Sequence, residues 1–96
     1  MMVFKGVLVM NRAIVYTSAT CPYCIKAKRL LSMLNIDFEE INCDDNFDET
    51  CANLSKKYNQ PCISTVPQII INNNYVGGYD DLEHLYKTEK LGEILN

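Results

Sequence analysis

At residue 22 a proline separates two hydrophobic patterns of different period. Before it, "RAIVYTS" (12–18) is a short run of β-branched and aromatic residues, the composition of a buried strand. After it, Cys24, Ala27, Leu31 and Leu34 recur at spacings of three and four, which is one face of a helix, with Lys26, Lys28 and Arg29 turned away. Proline suits the first position of a helix, where its missing N–H costs nothing. A strand therefore runs directly into a helix over 22–34, and Cys21 sits at the junction.

The alternation continues. "DFEEIN" (37–42) reads as a second strand, and 46–58 as a helix with Asp45 as N-cap and Phe47, Cys51, Leu54 and Tyr58 as its apolar stripe. "QIIIN" (68–72) is a third strand, "NNN" a turn and "YVGG" a fourth strand. Asp80 or Asp81 opens a last helix with Leu82, Leu85 and Tyr86 inward. The order β-α-β-α-β-β-α predicts an α/β domain. Its first two strands should be parallel through a right-handed crossover and its last two an antiparallel hairpin. The expected result is a four-stranded mixed sheet flanked by helices on both faces.

A chain of 96 residues suits one such domain, and the net charge of −3 argues against nucleic acid or an anionic membrane as partner. No apolar run approaches the length of a membrane span, and the opening "MMVFKGVLVM" lacks the pattern of a cleaved signal. Five cysteines is an odd number, which fits a reducing cytoplasm better than a secreted disulfide framework.

Cys21 and Cys24 admit three readings. A zinc site wants about four ligands, and Cys43 and Cys51 lie too far apart in sequence to supply the second pair while His84 stands alone. A structural disulfide closing so small a loop removes little unfolded-state entropy. Thiol–disulfide chemistry fits the position best: the free N–H groups at a helix start favour negative charge, and the thiolate is the attacking species. Cys24, one turn further in, would be the resolving thiol.

Three motifs in order, "TCPYC" (20–24), "TVPQI" (65–69) and "GGYDDL" (77–82), resemble those of glutaredoxins of the dithiol class. The resemblance covers roughly residues 11–95. It divides the chain into an N-terminal extension over 1–10 and a glutaredoxin domain over 11–96. It implies a thioredoxin-like fold and a glutathione-dependent thiol–disulfide oxidoreductase, a monomer with Cys21 and Cys24 as catalytic couple. Glutathione would be a co-substrate, with no tightly bound cofactor and no metal. The family's potentials, roughly −200 to −230 mV, let the glutathione pool drive the cycle.

The resemblance also implies where glutathione lies. Thr65, Val66 and Pro67 would offer backbone to it across a cis Val66–Pro67 bond, as an added strand is received. Tyr23 would flank its sulfur, and Gly78, Tyr79 and Asp80 would meet its γ-glutamyl end, with the Asp80 carboxylate on the ammonium. Gly77 and Gly78 would permit positive φ and close approach. Implied substrates are disulfide-bearing or glutathionylated proteins, ribonucleotide reductase among them. Cys43, Cys51 and Cys62 read as packing or spectator thiols, and His84 as a solvated helix residue.

The chain departs from the family pattern in its cations. Ser18 replaces a usual Lys or Arg, and Ile63 and Ser64 stand where Arg or Gln is frequent. Two further readings accompany these departures: a redoxin reduced by a flavoprotein reductase, and an iron–sulfur carrier sharing a cluster between two chains.

Overall fold

The computed structural model describes residues 11–61 and 63–95, so the expectations for the extension over 1–10 and for Cys62 fall outside the described residues. The elements are β1 (Arg12–Thr17), α1 (Pro22–Met33), β2 (Asp37–Asn42), α2 (Phe47–Lys57), β3 (Gln68–Ile71), β4 (Asn74–Gly77) and α3 (Tyr79–Lys87), followed by a 3₁₀ turn at Leu91–Glu93. The sheet order is β2-β1-β3-β4. β1 and β2 are parallel, with Val15 opposite Glu40. β1 and β3 are antiparallel, with Val15 opposite Ile69 and Tyr16 opposite Gln68. β3 and β4 form an antiparallel hairpin whose register shifts between Ile69 and Ile70.

The two-residue period of the strands divides the core in two. Ala13, Val15, Ile69 and Ile71 face α1 and α3, packing with Ala27, Leu30, Leu31 and Leu82. Ile70 points the other way, against Cys51 and Leu54 of α2 and Ile63 of the following loop. β3 is covered on both faces, which is why "QIII" is buried at all four positions.

The helix stripes hold with two changes. Leu30 joins the α1 stripe, and Tyr86 is 42% exposed instead of facing inward. Tyr79 and Leu85 pack beside Leu82 in α3 and complete its inner face without Tyr86. Lys28, off the apolar face as expected, reaches β2, where its ammonium lies 3.0 Å from Glu40. The Thr17 hydroxyl, buried beneath, donates to the same carboxylate at 2.8 Å. Lys28 first, and Thr17 second, hold the Glu40 carboxyl below its ordinary range.

The helix caps also differ. Asn46, not Asp45, is the N-cap of α2, and its side chain makes no capping bond. Asp48 and Glu49 in the first turn and Lys56 and Lys57 in the last complement the helix dipole instead. Gly78 caps α3, placing Asp80 and Asp81 inside its first turn. β3 stops at Ile71 because Asn72 and Asn73 take positive φ, 51° and 68°. That pair makes the two-residue turn of the hairpin and moves Asn74 into β4.

Leu31 is fully buried between α1 and the sheet. Leu31→Ala should lower the unfolding free energy by about 2–5 kcal/mol, measured by urea denaturation. A loss under about 1 kcal/mol would show that this face of the core is not closely packed.

Candidate active site

Cys21 is the last residue before α1 and retains extended backbone, with Pro22 opening the helix. That arrangement turns the first free N–H groups of the helix toward its side chain. The Cys24 N–H donates to Cys21 Sγ at 3.0 Å. Cys21 is half-buried, whereas Cys24, on the inner face of the same helix, is only 2% exposed. Burial pushes the Cys24 thiol up to about 12, with its hydrogen bond to Cys21 adding to the shift. The pair is thus unequal: one sulfur reachable from solvent, the other held neutral behind it.

The loop before β3 forms the facing wall. The Cys21 thiol donates to the Val66 carbonyl at 3.6 Å. The Val66–Pro67 bond is cis, as the resemblance implied. From there a cavity of about 370 Å³ runs between the loop and the start of α3. Thr65, Val66 and Pro67 line one side, Gly78, Tyr79 and Asp80 the other, and Tyr23 stands at the mouth. Every non-cysteine residue expected at the site borders this one cavity. The rings of Tyr23 and Tyr79 lie 6.2 Å apart. The Lys26 ammonium sits over both, 5.1 Å from the first centroid and 6.0 Å from the second.

The glycines divide their work. Gly77 has φ of +115°, and a Cβ there would collide with the Asp81 carboxylate. Gly78 has φ of −86°, so the positive φ expected of the pair is used at Gly77 alone. The Asp81 carboxylate accepts the Gly78 N–H at 3.0 Å and fixes the turn into α3. Asp80 remains exposed at the cavity rim.

On the other flank, Asp44 anchors the loop leading to Cys21. It accepts the Ser18 hydroxyl at 2.7 Å, the Ala19 N–H at 3.1 Å and the Asn42 amide at 3.2 Å. Ser18 first, then Ala19 and Asn42, hold its carboxyl below the usual range. The Cys43 thiol donates to the Thr17 carbonyl at 3.2 Å and is pushed up by burial and then by Asp44. Cys51 belongs to the core under α2. Among the described residues no three His, Cys, Asp or Glu side chains gather as a metal site, and no helix is long and apolar enough to cross a membrane.

The glutaredoxin family profile matches residues 13–76. The chain belongs to the glutaredoxin family. A glutaredoxin of Pseudomonas aeruginosa is 45% identical over 87 residues, 91% of this chain and 99% of that protein. The solution structure of a dithiolic glutaredoxin from Trypanosoma brucei brucei superposes with a TM-score of 0.74 at 34% identity, covering 90% of this chain and 88% of that one. The crystal structure of a buckwheat glutaredoxin–glutathione complex gives 0.73 at 28% identity, covering 88% and 76%. The sheet and helices above are thus the thioredoxin-like fold of this family, and the protein is a thiol–disulfide oxidoreductase.

Five residues of this glutaredoxin border the cavity without having been singled out as ligands: Ile63, Ser64, Gln68, Tyr75 and Asp81, the last read only as a helix opener. Ile63 and Ser64 had drawn notice only as missing cations. Gln68 read as the first residue of a strand and Tyr75 as part of another. The sequence signals for Gln68 are its place in the "TVPQI" motif and a polar side chain opening an otherwise apolar buried run. Gly77→Ala should lower the unfolding free energy of this glutaredoxin by about 1–3 kcal/mol, since no β-carbon suits that backbone. Unchanged stability on thermal and urea melts would mean that the turn into α3 can relax.

Proposed function

We propose that this glutaredoxin uses glutathione to reduce protein–glutathione mixed disulfides and protein disulfides in the cytoplasm. The observation that carries the reading is the half-buried Cys21 thiol, backed by the buried Cys24, in contact with Val66 on the wall of a cavity lined by Thr65–Pro67 and Gly78–Asp80. The extended backbone of glutathione would lie along Thr65 and Val66, with its ammonium toward Asp80 and its sulfur between Tyr23 and Cys21. The buckwheat relative, which forms a complex with glutathione, supports glutathione as the ligand. An odd number of cysteines accords with a reducing compartment.

The chemistry is two successive exchanges. Cys21 thiolate attacks the glutathione sulfur of a mixed disulfide, forming a Cys21–glutathione bond and expelling the substrate as thiolate. A second glutathione thiolate attacks that bond, releasing oxidised glutathione and restoring Cys21. With a protein disulfide, Cys21 takes one substrate sulfur. Cys24 then gives its proton to solvent and attacks Cys21, freeing the substrate as dithiol, and two glutathiones reduce the Cys21–Cys24 bond. Cys24 is kept protonated by burial, which delays its attack until Cys21 is occupied.

Cys21→Ser should abolish both reactions. Cys24→Ser should retain deglutathionylation and lose dithiol reduction, read with a glutathionylated peptide and a protein disulfide as parallel substrates. Equal loss in both variants on the glutathionylated peptide would contradict these roles.

Ser18 occupies the place of the family's cation and is tied to Asp44. Adding an ammonium there should tighten glutathione through its glycyl carboxylate, an exposed pair worth about 0–1 kcal/mol, or up to about fivefold. Asp44 competes for that charge. Ser18→Lys alone should therefore lower the KM for glutathione less than Ser18→Lys combined with Asp44→Asn, with kcat unchanged in both. No change in the double variant at low salt would place the carboxylate elsewhere.

A further inference from the structure

We infer that Gln68 is a positioning residue for substrate binding, holding the Thr65–Val66 backbone at the cavity wall. This rests on the reading that glutathione lies along that backbone.

Gln68 opens β3, immediately after Pro67, and is 4% exposed. A buried primary amide is costly unless both of its ends are paired. Here they are paired in one direction. The Tyr75 hydroxyl donates to Gln68 Oε1 at 2.6 Å. Gln68 Nε2 donates to the Thr65 carbonyl at 3.0 Å, with Thr65 Oγ1 at 3.4 Å. The Thr65 carbonyl can only accept, so it takes the NH₂, and the Tyr75 hydroxyl, free to donate, takes the amide oxygen; the network thus sets which way the amide faces. Tyr75 is itself stacked on Tyr58, 5.9 Å between centroids, which ties the relay to the end of α2. The chain Tyr75, Gln68, Thr65 thus connects a packed interior to the loop whose next residue, Val66, receives the Cys21 thiol. Gln68 acts through Thr65, and the loop it fixes is the one that would meet the substrate backbone.

Gln68→Glu provides the decisive test. As a neutral acid the new side chain reproduces both bonds, its C=O accepting from Tyr75 and its O–H donating to Thr65. As a carboxylate it can only accept, and it faces the Thr65 carbonyl without a proton. Burial raises a carboxyl pKa, which brings this change into a measurable range. The groups around it are Tyr75 on β4, Tyr16 opposite on β1, Asp81 on α3 and Lys57 beyond Tyr58 on α2. Both tyrosines are pushed up, chiefly by burial, and stay neutral throughout, so the carboxyl is the group in this relay that titrates.

KM for a glutathionylated peptide is measured from pH 5.5 to 8 and divided by the wild-type value at each pH. For Gln68→Glu the ratio should be near 1 at the acid end and rise about fivefold at the alkaline end, the equivalent of one lost hydrogen bond, with kcat changed less than about twofold. Gln68→Leu should raise KM by a similar factor at every pH. If Gln68→Leu fails to fold, the Gln68→Glu profile decides alone, because loss of folded protein as the buried carboxyl ionises would lower the apparent kcat and leave KM unchanged. A ratio independent of pH, or a loss confined to kcat, overturns the inference. In parallel, the backbone amide shift of Val66 is followed by NMR as glutathione is joined to Cys21 in the Cys24→Ser variant. No shift at Val66 would sink the glutathione site and this inference with it. A shift there with a flat Gln68→Glu profile would sink the Gln68 role alone.

Discussion

The hydrogen bond from the Cys24 N–H to Cys21 Sγ depends on nearly everything else in the molecule. It exists because β1 ends just where α1 begins, so that Cys21 is still extended when Cys24 is already helical. Pro22 makes the change in one residue, having no N–H to leave unpaired. The same helix rotation that aims the Cys24 N–H outward sends its thiol inward, onto the stripe shared with Ala27 and Leu31. One turn of helix therefore gives the two sulfurs opposite environments. Exchange chemistry needs that inequality, since two equally exposed thiols would compete for substrate.

Holding this junction is the task of the sheet. β1 is central, paired with β2 on one side and β3 on the other, and its end is fastened twice. The Thr17 hydroxyl is bound to Glu40, which Lys28 of α1 also grips, and the next loop is held by Asp44. β3 then brings Pro67 and Val66 to the same end of the sheet, and the hairpin returns the chain to Gly77 and α3. The cavity is the space left where these three loops meet, lined by Thr65–Pro67 on one side and Gly78–Asp80 on the other.

Much of this was legible in the sequence because it rests on local signals. The period change at Pro22 announced the strand–helix junction, and three consecutive isoleucines announced the third strand. The cis Val66–Pro67 bond and the ring of residues around the cavity came from matching motifs, not from periodicity. What escaped was chosen by geometry among near-equal candidates. Asp45 and Asn46 can each cap a helix, as can Gly78 and Asp80, and one residue of rotation decides. Lys28 gave no sign of its ion pair because its partner Glu40 lies across a crossover. The Gln68–Tyr75 contact spans a hairpin whose register shifts between Ile69 and Ile70, so no spacing rule reveals it.

The central claim is that the fold makes Cys21 the attacking sulfur and shields Cys24 beneath it. Reduced protein treated with less than one equivalent of iodoacetamide at neutral pH, then digested and mapped by mass spectrometry, tests this directly. The account predicts that label appears on Cys21 well before it appears on Cys24. First labelling at Cys24, or equal labelling of the two, would contradict it.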